Sequence, residues 1–226
     1  MSSDDKIKKL LSKLVFKSKL YLYLLKQKVF FKYIEALSLF MKKQIVIFIS
    51  GKGSNALNII NYFSETENLT VSHVYSNNKT SPFFDHKLNS NIKVSYFQND
   101  DLNAKVFEEL QHIKPDLIVL AGFLKKIPIS YLDYFKKMII NIHPSLLPKY
   151  GGKGMYGSRI HDKVIENNET ETGITSHYVS EQYDSGEIIF KRKIGVDDND
   201  TAKTIEKKIH KLEHKYLPKI IESILI

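Results

Sequence analysis

From Gln44 onward the chain alternates short, unbroken apolar runs with stretches whose apolar positions recur at helical spacing. IVIFIS (45–50) is rich in β-branched residues, the pattern of a strand covered on both faces. NALNIINYF (55–63) is amphipathic at helical period, and LTVSHVYS (69–76) predicts a second strand. Ser81-Pro82, a capping residue followed by proline in the first turn, predicts a helix over 81–89. IKVSYF (92–97) predicts the third strand and LNAKVFEELQHI (102–113) a helix that Lys114-Pro115 ends. DLIVLAGF (116–123) is the strongest strand pattern, followed by a short helix at 128–137 and the strand MIINIH (138–143). A helix at 156–167, strands at 173–180 and 187–196, and a long helix from Asp200 complete the pattern. Strands alternating with helices predict an α/β fold with a mainly parallel sheet and helices on both faces. Tyr183-Asp184-Ser185-Gly186 reads as a tight turn, so the last two strands are predicted to pair as an antiparallel hairpin before the final helix.

Residues 1–40 break this pattern. They mix Lys with Leu, Phe and Tyr at roughly helical spacing, without an apolar run of about 18 residues that would span a membrane. A single apolar core with a small-residue cleavage site is also missing, so a signal peptide is not expected. Three readings stand: a basic amphipathic helix on a membrane surface, an appendage to the domain that follows, or a stretch upstream of a true start at Met41. The expected organisation is therefore a basic extension, 1–40, and one domain, 41–226. A membrane role is the less favoured reading.

Charge changes the picture only slightly. The formal net charge is +9, but the extension, with nine Lys against three acids, supplies most of it. The remainder is close to neutral for its length, so a solvated lysine-rich surface is expected and no nucleic-acid partner. The chain has no cysteine, which excludes disulfides and thiolate chemistry and agrees with a cytoplasmic setting.

In open sheets of this kind ligands bind beyond the carboxyl ends of the strands. The first such end carries Gly51-Lys52-Gly53-Ser54-Asn55, a turn into a helix whose free N–H groups suit an anion. The pattern is neither Walker A nor GxGxxG, and an ordinary βα turn uses the same residue types. The second end is Asn141-Ile142-His143-Pro144-Ser145-Leu146-Leu147-Pro148. Alternation puts Asn141 and His143 on one face, about 7 Å apart along the strand. An amide donor beside an imidazole suits a reaction that builds an oxyanion and moves a proton, although a lone strand-end histidine is often only a satisfied polar residue. Asp184 in the turn is ordinary turn chemistry unless it reaches that imidazole, where it would favour the charged form. His177 could line the same cleft. A zinc site from His143, His177 and Asp184 is chemically permissible, but no compact ligand spacing supports it and no metal is expected.

Taken together, IVIFISGKGSN, DLIVLAGFLKKI, NIHPSLLPKY and YDSGEII resemble, in order and over residues 43–225, the formyltransferase family that uses 10-formyltetrahydrofolate. Within it the likeness is strongest to the branch that formylates glycinamide ribonucleotide in purine synthesis. The resemblance implies a Rossmann-like formyltransferase sheet. It implies that Gly53, Ser54 and Asn55 hold the ribonucleotide phosphate, with Glu213, beside His210 and Lys211 on the last helix, helping to hold that substrate. Leu124, Lys125, Lys126 and Ile127 would contact the folate, and Ser180, Glu181, Gln182, Tyr183 and Asp184 would close over its ring. Asn141 would bind the formyl oxygen, His143 would donate the proton, and Asp184 would raise the pKa of His143. The implied partners are small molecules, 10-formyltetrahydrofolate as co-substrate and glycinamide ribonucleotide, bound by a monomer or homodimer. Relatives that act on a tRNA or hydrolyse the folate carry further domains, and the GKGSN loop favours a small phosphorylated substrate over either. Four departures stand out: Lys52 in the phosphate loop, Lys125 where arginine is common, no arginine near 98–105 for the folate tail, and a longer glycine-rich loop at 151–157.

Overall fold

The structure, a computed structural model, describes residues 23, 26–28 and 42–226. The chain divides into two compact units, Met1–Lys42 and Lys43–Ile226. The extension expected at 1–40 lies outside the described residues except for 23 and 26–28, which are helical. No helix of the described residues is long and apolar enough to cross a membrane.

The second unit opens with β1 (Lys43–Ile49), α1 (Ser54–Phe63), β2 (Leu69–Ser76) and β3 (Lys93–Tyr96). It continues with α2 (Lys105–Ile113), β4 (Leu117–Leu120), α3 (Ile129–Phe135) and β5 (Ile139–His143). It ends with α4 (Ser158–Glu166), β6 (Glu171–Tyr178), β7 (Ile188–Gly195) and α5 (Ala202–Leu225). Among the described residues these strands form one seven-stranded sheet in the order β3-β2-β1-β4-β5-β6-β7. Pairings from β3 to β5 are parallel, and β6 and β7 are antiparallel to their neighbours.

The apolar run of β1 feeds both faces of the sheet, because successive side chains point in opposite directions. Ile45, Ile47 and Ile49 pack with α1 and α5, against Ile59, Ile205, Ile209 and Leu217. Val46 and Phe48 pack on the other face, against Val106, Leu110, Tyr131 and Phe135. All five β1 residues from Ile45 to Ile49 are fully buried, which is what a central parallel strand requires. Thr201 caps α5, its hydroxyl accepting from Thr204 N at 3.3 Å, which fixes the register of the helix over the sheet.

Three details differ from expectation. The helix expected at 81–89 is a single 3-10 turn, Pro82–Asp85, opened by Ser81 Oγ accepting from Phe83 N. Only Phe83 of that turn is buried, and the following His-Lys-Leu-Asn-Ser-Asn offers no apolar stripe to extend it. The helix expected at 102–113 splits at Ala104 into a 3-10 turn, Asn99–Asn103, and α2. The last two strands do pair in antiparallel fashion, but through a nine-residue loop, 179–187, instead of a tight turn. That length lets Asp184 reach back over the sheet.

Candidate active site

Chain direction from β1 diverges, to β2 on one side and β4 on the other, and a cleft of about 870 Å³ opens beyond the carboxyl ends of β1, β4 and β5. Its one end is the β1–α1 turn. Gly53 has φ 73°, and a Cβ there would come within 2.4 Å of the Phe83 ring and 3.1 Å of Ile49, so only glycine fits. Ser81 Oγ donates to Gly51 O at 2.7 Å and ties the turn down. No side chain caps α1, so the N–H groups of its first turn face the cleft with the positive end of the helix dipole. Asn55 Nδ2 donates to Glu213 Oε2 at 3.0 Å, and Ser54 Oγ lies 3.5 Å from His210 Nε2. Asn55 and Glu213 are 8% and 7% exposed, and Asn55 Oδ1 has no partner among the described residues. Burial pushes the Glu213 carboxyl above its usual range, with Asn55 and His210 pulling the other way.

The middle of the cleft holds Asn141, His143, His177 and Asp184. Asn141 pairs across the sheet with His177, whose Nε2 is 3.2 Å from Asn141 Nδ2. His177 Nδ1 donates to Tyr178 O at 2.8 Å, so its Nε2 is the acceptor. Asn141 Nδ2 also reaches Asp184 Oδ1 at 3.4 Å, a long contact that leaves one amide N–H easily freed for a ligand. His143 Nε2 donates to Tyr150 O at 2.7 Å, while its Nδ1 sits 3.4 Å from Asp184 Oδ1. Gly152 N donates to Asp184 Oδ2 at 2.9 Å. Asp184 therefore joins both histidines, the amide and a loop N–H.

At His143 two opposing effects meet. Asp184 does draw the His143 pKa upward, as does the Tyr150 carbonyl, but burial is the larger effect and the net value lies below that of an ordinary imidazole. His143 is only 4% exposed, and removing the ring from water disfavours its charged form more than one carboxylate at 3.4 Å restores it. Burial acts on Asp184 too, but the neighbouring His177 and His143 imidazoles and the Gly152 N–H outweigh it and hold its carboxyl below the usual range. Asp184 is thus ionised at neutral pH.

At the other end, Leu124, Lys125, Lys126 and Ile127 line the cleft, as do Ser180, Gln182 and Tyr183. Leu124 N donates to Ser50 Oγ at 3.0 Å, and Ser50 N to Gly122 O at 3.1 Å, so this segment is locked to the β1 end. Glu181 is exposed and does not line the cleft. Lys211 does not line it either. Several lining residues were not singled out from sequence. Glu206 joins His210 and Glu213 at i, i+4 and i+7 on one face of α5, a helical spacing that could have revealed it. His161 is a buried residue of α4 with no such signal. Met155 and Tyr156 belong to the glycine-rich loop, whose Gly152, Gly154 and Gly157 all have positive φ. Among the described residues no group of three or more His, Cys, Asp or Glu is arranged to hold a metal ion.

A family model described as formyl transferase matches residues 43–221. The chain is 34% identical over 191 residues to the chloroplastic phosphoribosylglycinamide formyltransferase of Arabidopsis thaliana, an alignment covering 81% of this chain and 65% of that one. It therefore spans less than two thirds of that curated relative's length. With the phosphoribosylglycinamide formyltransferase of Haemophilus influenzae it shares 30% identity, covering 80% of this chain and 86% of the relative. The crystal structure of phosphoribosylglycinamide formyltransferase from Bacillus halodurans superposes with a TM-score of 0.72 at 28% identity, over 81% of this chain and 95% of that one.

Proposed function

This chain belongs to the formyl transferase family, and from that premise we propose that it transfers the formyl group of 10-formyltetrahydrofolate to the amine of 5-phosphoribosylglycinamide, a step of purine biosynthesis. The observation that carries the reading is one cleft with an anion-binding turn at one end and Asn141, His143 and Asp184 between its two halves. The N–H groups opening α1, with Ser54 and Asn55, suit the phosphate, and Glu213 with His210 suits the polar remainder of the ribonucleotide. Leu124 to Ile127, with Ser180, Gln182, Tyr183 and Asp184, line the end of the cleft that suits a flat heterocycle.

Transfer requires attack of the ribonucleotide amine on the formyl carbon, passage through a tetrahedral oxyanion, and departure of the folate N10 with a proton. Asn141 donates an amide N–H to the developing oxyanion, the kind of contact worth about 3–4 kcal/mol where one such donor has been removed from an enzyme. His143, charged through Nδ1, adds a second donor and carries a proton between the incoming amine and the leaving nitrogen. Ionised Asp184 supports the charged imidazole against its burial. His177 holds the Asn141 amide in place. The partners on this reading are two small molecules, with no metal, in the cytoplasmic setting expected of the sequence.

The test is a spectrophotometric assay of folate product with and without glycinamide ribonucleotide, beside His143→Ala. Turnover that needs both substrates and is lost in the variant supports the reading. Turnover without the ribonucleotide would make the protein a formyl-folate hydrolase, and a folded protein with no turnover would sink the proposal.

A further inference from the structure

His143 owes its orientation to a residue that no chemical reading of the sequence had picked out. Its Nε2 is committed to the carbonyl of Tyr150 at 2.7 Å. A carbonyl only accepts, so Nε2 carries the proton and Nδ1 is the nitrogen left to face Asp184 and the cleft. Tyr150 aims that carbonyl from φ 56°, in the left-handed region that bulky residues rarely adopt. A conformation of that kind persists only where its surroundings over-determine it.

The surroundings do so through the side chain. Tyr150 Oη donates to Glu169 Oε1 and accepts from Asn167 Nδ2, both at 2.8 Å. Glu169 is itself gripped by Lys149 Nζ, 2.9 Å from each carboxylate oxygen. The hydrogen bonds from Lys149 and Tyr150 hold the Glu169 carboxyl below its usual range, so it stays an acceptor at neutral pH. On the backbone, buried Ser145 Oγ donates to Lys149 O at 2.6 Å. Two residues on from Tyr150, Gly152 N binds Asp184. One short segment thus holds the imidazole by a carbonyl and the carboxylate by an N–H. The glycine-rich, positive-φ loop begins immediately after Tyr150.

We propose that Tyr150 is a positioning residue for His143, its ring clamped by Glu169 and Asn167 so that its strained backbone decides which imidazole nitrogen faces the reacting atoms. The proposal rests on the formyl-transfer reading for the reaction affected but not for the clamp itself. The charged and titratable groups around His143 are Asp184 in the 179–187 loop, His177 on β6 and His161 on α4. Of the two contacts that favour its charged form, the Tyr150 carbonyl is the one the clamp controls. Loosening it lets His143 lose its proton at lower pH.

The decisive measurement is imidazole-nitrogen NMR on the ligand-free full chain, with His143 assigned by difference from His143→Ala. The wild type is expected to show a neutral His143 protonated at Nε2. In Tyr150→Phe and in Glu169→Ala the tautomers mix and the titration midpoint falls by about half a pH unit. Glu169→Gln, which keeps an acceptor for the phenol, restores the wild-type signals. In the assay, kcat of Tyr150→Phe falls about tenfold and the descending alkaline limb moves down with the midpoint, while both KM values stay within about twofold. Unchanged His143 signals in Tyr150→Phe would overturn the proposal even if turnover fell. Shifted signals in a protein without transferase activity would uphold the clamp and refute the transfer reading instead. Should Tyr150→Phe fail to fold, the Glu169→Ala and Glu169→Gln pair carries the same test.

Discussion

The two halves of the cleft are built on opposite principles. The turn proposed to take the phosphate is built from main-chain atoms: Gly53 is forced into its left-handed turn beneath Phe83, and the N–H groups that follow are aimed by the helix itself. The proposed transfer centre is built from side-chain atoms on separate pieces of chain, with Asn141 and His143 on β5, His177 on β6 and Asp184 on a loop. A main-chain site is as precise as the local fold and tolerates side-chain change. A side-chain site is only as precise as the contacts that orient each member. Substitutions should therefore separate binding from turnover according to the half they fall in.

The largest expected effect is in the transfer half. His143→Ala should lower kcat by about 10²–10⁴-fold with KM for both substrates little changed, read from steady-state kinetics. A rise in KM with kcat intact would erase the distinction between the halves. Asp184→Asn comes next, with kcat down by about 10²-fold. Its pH profile sharpens the point. Burial already draws the His143 pKa below its ordinary value and Asp184 is the main upward pull, so loss of that charge leaves only the Tyr150 carbonyl against burial. A reaction that needs protonated His143 is active below this pKa and fails above it. The alkaline limb of kcat should therefore move to lower pH in Asp184→Asn, and movement upward would contradict the proton-donor role.

In the binding half, Gly53→Ala should raise KM for the ribonucleotide about tenfold with kcat within about twofold, because the added Cβ meets Phe83 and displaces the aimed N–H groups. The same change should cost about 1–3 kcal/mol of stability, measured by denaturant unfolding. The smallest effect expected is that of Glu213→Gln, which keeps an acceptor for Asn55 Nδ2. A KM rise of about two- to fivefold with unchanged kcat is expected, since burial favours the uncharged form of the Glu213 carboxyl and the amide keeps the Asn55 contact.

How much of this was legible in the sequence follows the same division. The unbroken apolar run of β1, the Gly53 turn and the placing of Asn141 and His143 on one face of β5 are local patterns, and the structure keeps them. The place of Asp184 in the cleft was also anticipated, but its route was not: a four-residue turn signal lies inside a nine-residue loop, and loop length is set by where β6 and β7 stop pairing. The net pKa shift of His143 was illegible because it depends on burial, a property of the assembled domain. Glu181 looked equivalent to its neighbours, but the loop leaves it outside the cleft that Gln182 and Tyr183 line. The Tyr150 carbonyl had no signature at all, since every residue carries one. The helix expected at 81–89 failed for want of an apolar face, a signal that was present and outweighed by a persuasive start.

The strand order carries a kinetic consequence. β1 pairs with β2 next in sequence, but its other partner is β4, with Ile45 opposite Leu117, and only then can β5 join. Closing so long a stretch of chain must precede the reward of that contact, which makes it a slow event in refolding. The cleft needs the ends of β1, β4 and β5 together. Recovery of turnover after dilution from denaturant should therefore lag behind recovery of helical signal, making activity the later clock of this domain's assembly.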